Sequence, residues 1–174
     1  MDMNARDLAL LALFIALIAV ATMIIRIPIP QTNGYMNLGD SMVLLSGIFF
    51  SPGLGFIAGG IGSALADVLG GYPQWAGWTL AIKGLEAMIV GVAVRYLKIG
   101  ATRVSPVIVL CFIVSTAWMV FGYYLAESFM YTQKAALVEL PANILQASGS
   151  VVLAALLLPL FSRIIRRNTL PEKS

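Results

Sequence analysis

Leu8-Ala9-Leu10-Leu11-Ala12-Leu13-Phe14-Ile15-Ala16-Leu17-Ile18-Ala19-Val20-Ala21-Thr22-Met23-Ile24-Ile25 is a run of 18 residues without a charge. At a rise of ~1.5 Å per residue a helix of this length reaches about 27 Å, close to the thickness of a bilayer's hydrocarbon core. The composition agrees. Of 174 residues, 60% are hydrophobic and 11% charged, and the mean hydropathy is +0.92, whereas soluble domains carry about 25% charged residues. The 11 basic and 8 acidic side chains are too few to wet the surface of an 18.6 kDa chain. An integral membrane protein is expected. Ala19-Val20-Ala21 does resemble a signal-peptidase site. However, Asp2 and Asp7 oppose Arg6 before it and apolar residues continue past it to Ile25, so the segment reads as a retained span.

Outward from this helix, Arg26-Ile27-Pro28-Ile29-Pro30 stops it, because neither proline can donate a backbone hydrogen bond, and a polar loop runs to Asn37. Two helices over 38–50 and 54–69 form a hairpin around Ser51-Pro52-Gly53, and Gly70-Gly71-Tyr72-Pro73 ends the second. Further helices are expected over 78–97, 106–129 and 141–165. The fold class is therefore all-α integral membrane, with six transmembrane helices in one domain, 1–174. Arg6, Arg95, Lys98, Arg103, Arg163, Arg166, Arg167 and Lys173 fall at one set of helix ends, against Arg26 and Lys134 at the other. The positive-inside rule then places both termini in the cytoplasm.

Several chemistries are excluded. There is no His, and the single Cys, Cys111, lies in an apolar run. Zinc, haem, iron–sulfur and Cys–His chemistry thus lack their groups. No intrachain disulfide can form, and neither cofactor nor metal is expected. The net charge of +3 and pI near 9.2 come from basic residues flanking the spans, not from a nucleic-acid-binding face. Gly59-Gly60-Ile61-Gly62 lacks the preceding strand and the Lys-Ser/Thr ending of a phosphate loop.

Ionisable groups inside spans are costly and mark function by default. Counted by helical rise from the cytoplasmic turns, Asp40 and Lys83 lie about 18 Å up and Asp67 about 22 Å, so three helices bring charges to one level. Glu86 is one turn deeper than Lys83. The last two helices add Trp118, Tyr123, Tyr124, Glu127, Asn143 and Gln146, and Gln74, Trp75 and Trp78 stand at the entrance to the fourth helix. Apolar walls with a few polar groups and flat rings suit a small polar aromatic molecule. Structural roles compete with this reading. Asp40 can cap the second helix, Asp67 can pair with Lys83, and Trp75, Trp78, Tyr123 and Tyr124 can be interface-belt aromatics. Lys83 is too far from either end to snorkel and needs a local anion or ligand.

Small residues form two stripes. Gly55, Gly59, Ser63 and Asp67 follow i+4 spacing and are expected to pack against helices two and four. Ala5, Ala9, Ala12, Ala16 and Ala19 make a methyl stripe on the first helix, suited to contact within the bundle or to docking another membrane subunit.

Asn37-Leu38-Gly39-Asp40, Ser51-Pro52-Gly53, Ser63-Ala64-Leu65-Ala66-Asp67, Gly71-Tyr72-Pro73-Gln74-Trp75 and Ile82-Lys83-Gly84, in that order, resemble the S components of energy-coupling factor (ECF) vitamin transporters. The likeness is greatest to the group that takes hydroxymethylpyrimidine, pyridoxine or riboflavin. Its motifs cover about residues 35–98, while 105–174 match in character only. The resemblance implies a non-enzymatic substrate-binding subunit in the bacterial plasma membrane. Such a subunit captures a vitamin from outside, docks to a transmembrane coupling subunit with two cytoplasmic ATPases, and topples to release its cargo. It implies docking through an Ala-x-x-x-Ala motif, matched by Ala12 and Ala16 with Ala5 and Ala9 before them. It also implies a pocket built from the first loop and helices four to six. A pyridoxine-type ring is ranked first, then hydroxymethylpyrimidine, then riboflavin. Two other classes are weighed: a membrane enzyme holding Mg²⁺ on Asp40, Asp67 and Glu86 for lipid-phosphate chemistry, and a self-sufficient small transporter or channel.

Overall fold

The computed structural model describes the backbone of residues 4–100 and 103–167 and the side chains as far as Ile165; Lys173, counted among the basic residues, lies outside this range. Helix α1 (Ala5–Ile24) is capped by Asn4, whose side chain accepts the Asp7 N–H at 2.9 Å. Two short strands follow, β1 (Arg26–Ile29) and β2 (Gly34–Asn37), and then α2 (Asp40–Phe49), α3 (Pro52–Gly70), α4 (Ala76–Tyr96), α5 (Pro106–Met130) and α6 (Gln133–Arg167). Ser51 and Ser105 cap α3 and α5, each followed by a proline at the start of the helix, where its missing N–H costs nothing. Gly71, at φ 88°, closes α3 in the left-handed conformation.

Five of these helices are long and apolar enough to cross a membrane. The helix expected over 38–50 is shorter than that, at ten residues or about 15 Å. Strand β2 extends to Asn37, whose side-chain oxygen accepts the Gly39 N–H at 2.8 Å, so strand and turn consume the start of the expected helix. Asp40 to Ile48 are all buried, as suits a largely apolar helix enclosed by its neighbours. Two further corrections concern the expected loop and the last helix. Residues 26–37 are a β-hairpin, not an irregular loop, which adds a small sheet to an otherwise helical chain. Helix α6 begins at Gln133 and runs through Pro141, giving up one backbone bond there.

The apolar core has two parts. The larger unites Phe14 and Ile18 of α1, Val43 to Leu45 of α2, Ala87 and Val90 of α4, Phe112 of α5 and Leu158 of α6. The smaller, nearer the hairpin, is built on Trp75, Ile82, Met119, Ala126 and Ala147. Along α4 the charged Lys83 and Glu86 fall between the two. The glycine stripe of α3 is buried, as expected, and lies against α2 and α4. A Cβ on Gly59 would stand 2.7 Å from the Lys83 carbonyl oxygen, and one on Gly60 equally close to that of Leu80. Backbone-to-backbone approach thus sets the register of α4 against α3, and with it the position of Lys83.

Candidate functional site

The hairpin covers one end of the bundle. Arg26 pairs with Asn37, Ile27 with Met36, Pro28 with Tyr35 and Ile29 with Gly34, and Asn33 turns the chain at φ 47°, a conformation asparagine tolerates. Three anchors hold it down. The Arg26 guanidinium donates to the Gly70 carbonyl at 3.2 Å and lies over the Tyr35 ring, so a cation meets the negative end of the α3 dipole. Trp75 Nε1 and Gln74 Nε2 both donate to the Asn33 carbonyl, at 3.1 and 3.3 Å. The hydroxyl of fully buried Thr32 donates to the Glu139 carboxylate of α6.

Beneath the hairpin is a buried ion cluster. Lys83 Nζ pairs with Asp40 Oδ1 and stands 3.4 Å from Glu86 Oε2, and all three residues are at most 2% exposed. A charge so far from water survives only when paired and hydrogen-bonded. Gln146 extends the cluster upward: its Nε2 donates to Asp40 Oδ2 at 2.9 Å, and its Oε1 accepts the Asn37 N–H at 2.7 Å. The amide orientation follows from its partners, since the carboxylate can only accept and the N–H only donate. An ionic core is thereby wired to the end of β2. This corrects both structural expectations for the carboxylates. Asp40 makes no cap bond; α2 begins from Gly39 without a side-chain cap. The ion-pair partners of Lys83 are Asp40 and Glu86, not Asp67.

Asp67 Oδ1 instead accepts the Tyr35 hydroxyl at 2.5 Å, and its Oδ2 has no hydrogen-bond partner. Burial, and then the Asp67 carboxylate, push the Tyr35 hydroxyl above its ordinary range, so it stays a donor. Asp67 and Tyr35 open on a small cavity between the hairpin and helices α3 to α6. Its rings are Tyr35, Trp75 and Tyr123, and its polar groups are Asn37, Asp67, Thr79, Glu139, Asn143 and Gln146, with Gly34 in its wall. The Thr79 and Tyr123 hydroxyls are 3.1 Å apart. The enclosed void is about 20 Å³, room for roughly one water molecule. A much larger groove of about 690 Å³ lies between α5 and α6, but its lining is mostly apolar and carries no charged side chain; of its three hydroxyl residues, Thr116 and Ser148 donate to carbonyls of their own helices, which leaves few groups to orient a ligand.

Of the expected site residues, Asp67, Trp75, Tyr123, Asn143 and Gln146 converge on the cavity. Asp40 and Lys83 lie below it: Asp40 reaches it through Gln146, and the Lys83 ammonium stands 5.2 Å from the centroid of the Tyr123 ring that lines it. Glu127 is buried behind it and accepts from Asn143 at 2.9 Å. Gln74 is exposed and fastens the hairpin. Trp78 turns outward, its ring 5.7 Å from that of Phe129. Trp118 donates to the Ile82 carbonyl at 3.2 Å, and Tyr124 lines the apolar groove. Tyr35, Asn37, Thr79 and Glu139 are the additions. Asn33-Gly34 between two apolar runs is a hairpin signal, and Thr79 lies four residues from both Trp75 and Lys83. Glu139, Asn143 and Gln146 share one helical face at i, i+4, i+7, a pattern hidden when Pro141 is read as the helix start.

The first-helix stripe divides. Ala19 is buried, whereas Ala5, Ala9, Ala12 and Ala16 are all exposed, so among the described residues no helix packs on those four methyls. The three carboxylates considered for Mg²⁺ are also divided, two on Lys83 and one on Tyr35, and no cluster able to hold a metal occurs among the described residues.

The comparisons with known proteins bear on the whole chain. The profile of the family described as "ECF-type riboflavin transporter, S component" matches residues 2–163. A Pyrococcus woesei protein of undefined role is 40% identical over 136 residues, 78% of this chain and 88% of its own length. The "Thiamine precursor transporter HmpT" of Lactococcus lactis subsp. cremoris is 29% identical over 161 residues, 92% of this chain and 90% of the relative. A UPF0397 protein of Streptococcus pneumoniae is 36% identical over 75 residues, 43% of this chain and 41% of its own. With the profile spanning nearly all of a chain rich in membrane-length helices, this protein belongs to the ECF-type riboflavin transporter S component family.

Proposed function

We propose that this membrane-embedded S component binds one small ring-containing vitamin precursor in the cavity beneath the hairpin. That cavity carries the reading: three aromatic rings and a set of hydrogen-bonding side chains from the hairpin and four helices close around one point. Its hairpin end faces outward and both termini face the cytoplasm, as the distribution of basic residues supports. Residues 1–174 act as one six-helix unit in which α2 and the hairpin together make one crossing. Because the void is smaller than any vitamin ring, the hairpin opens to admit the ligand and its anchors re-form over it. Asp67, Trp75, Tyr123, Asn143 and Gln146 touch the ligand. Asp40, Lys83 and Glu127 hold those side chains in place, and Gln74 holds the hairpin.

The similarity to a thiamine precursor transporter favours hydroxymethylpyrimidine over the pyridoxine-type ring ranked first from sequence, with riboflavin last. Transport needs a coupling subunit and two cytoplasmic ATPases. The exposed Ala5, Ala9, Ala12 and Ala16 face supports docking through α1, since methyl-sized side chains let helices approach closely. A metal-dependent enzyme is disfavoured because Lys83 already stands between two of the carboxylates it would use.

The test is equilibrium binding of labelled vitamins by the purified chain, with neither ATP nor metal. One ring vitamin binding at a single site is expected. Absence of binding across hydroxymethylpyrimidine, pyridoxine and riboflavin would overturn the proposal.

A further inference from the structure

The groove of about 690 Å³ between α5 and α6 shares no lining residue with the cavity beneath the hairpin. Small side chains, Ala117 and Ser148, line its middle. Ile113 and Phe121 of α5 and Leu137 and Ile144 of α6 also line it, each about half exposed. Both helices are long and apolar enough to cross a membrane, so the groove opens sideways onto hydrocarbon and not onto water. Aromatic residues set its depth. The rings of Trp78 and Phe129 pair on the outer surface at the hairpin end, as rings at headgroup level do. Tyr124, at the near end of the groove, lies about 7 Å further along α5, where headgroups give way to hydrocarbon. From Tyr124 to Ile113 the helix rises about 16 Å, half of a ~30 Å hydrocarbon core. The groove therefore has the length of one leaflet.

We infer that this groove binds one membrane lipid of the hairpin-side leaflet, with a hydrocarbon chain held between α5 and α6 and Tyr124 at its headgroup end. The lining selects that occupant. It carries no charged side chain, and the hydroxyls of Thr116 and Ser148 are spent on carbonyls of their own helices, so a polar solute finds few partners there. A protein helix needs small residues along its line of contact, so that backbones can approach. Here the bulky side chains of Ile113, Phe121, Leu137 and Ile144 hold a helix off, and the bare small-residue face of this chain is on α1 instead. A chain of single methylenes fits between them. Left unfilled, the groove would forfeit dispersion contacts along its whole lining, so a bound chain stabilises the α5–α6 pair.

The test uses the full chain, purified in detergent, delipidated and titrated with 1-palmitoyl-2-oleoylphosphatidylcholine. Native mass spectrometry should show one lipid retained per chain. The melting temperature should rise by a few degrees and saturate, as for a ligand of the folded state. Ala117→Phe with Ser148→Phe fills the groove from two exposed positions. That variant should lose the retained lipid and most of the thermal response, while melting no lower than the delipidated parent. A second measurement needs no variant: in vesicles, a phosphatidylcholine with a diazirine in its chain should label 113–124 and 137–151 severalfold more than 57–69. The latter segment of α3 also exposes large apolar side chains, among them Ile57, Ile61 and Leu65, but lines no such groove. Even labelling, no retained lipid, or equal retention by the filled variant would overturn the inference. A dimer of the unaltered chain that the filled variant loses would overturn it too, since a second copy would then occupy the groove.

Discussion

Lys83 is a buried cation whose partners are two carboxylates from two helices, and it meets the cavity wall through the ring of Tyr123. Removing it leaves Asp40 and Glu86 without a counter-charge in a dry interior. Lys83→Met should therefore cost stability, about 3–5 kcal/mol as for other broken buried pairs. Neutralising the partner as well, in Lys83→Met with Asp40→Asn, should recover part of that loss. Thermal unfolding of both variants checks this. Ligand affinity measured on the same preparations should fall less for folded Lys83→Met than for Gln146→Leu. Gln146→Leu deletes both the acceptor for the Asn37 N–H and the donor to Asp40 at the wall of the cavity itself.

The hairpin and the α3–α4 contact are the elements that place these residues. Arg26, Gln74, Trp75 and Thr32 fasten the hairpin to α3, α4 and α6, so weakening the fastenings should free it before the bundle is affected. Arg26→Ala is expected to speed ligand release severalfold with a small change in melting temperature, because local opening draws on few contacts. Stopped-flow quenching of Trp75 fluorescence reads that rate. The helix contact is far less forgiving. At Gly59 a Cβ would already meet the Lys83 carbonyl and the Ala87 side chain, so Gly59→Leu must push α3 and α4 apart. Overpacking of this kind costs about 1–3 kcal/mol or more, and it should appear as a lower melting temperature together with lost binding.

At the scale of the whole molecule, α1 leaves its alanine face bare while its opposite side, through Phe14 and Ile18, enters the core. A substitution on the bare face should spare the fold and the cavity. Ala12→Trp with Ala16→Trp is expected to keep ligand affinity within about twofold, well under the 1.4 kcal/mol that a tenfold change represents. It should abolish co-purification with the coupling subunit. Normal assembly of that variant would reject α1 as the docking face. The chain alone in liposomes, without partner subunits and ATP, should bind vitamin and accumulate none.

Membrane residence and the long helices were legible in sequence because burial in lipid demands uninterrupted apolar runs, which a single chain displays directly. The small-residue stripes were legible too, since i+4 spacing alone puts Gly55, Gly59 and Ser63 on one face. Counting helical rise likewise put Asp40 and Lys83 at a common level, and these two are the pair that forms. That Asp40 and not Asp67 pairs with Lys83 was not legible, because the choice depends on the rotation of α2 and α3 about their axes. The close α3–α4 approach and the strand that shortens α2 set those rotations. Glu139 and Tyr35 entered the cavity only through folding. One lies beyond a proline that reads as a helix start but sits inside a helix held by its neighbours. The other lies on a two-stranded hairpin too small to be stable alone, which exists because Arg26, Trp75 and Glu139, far apart in the chain, hold it in place.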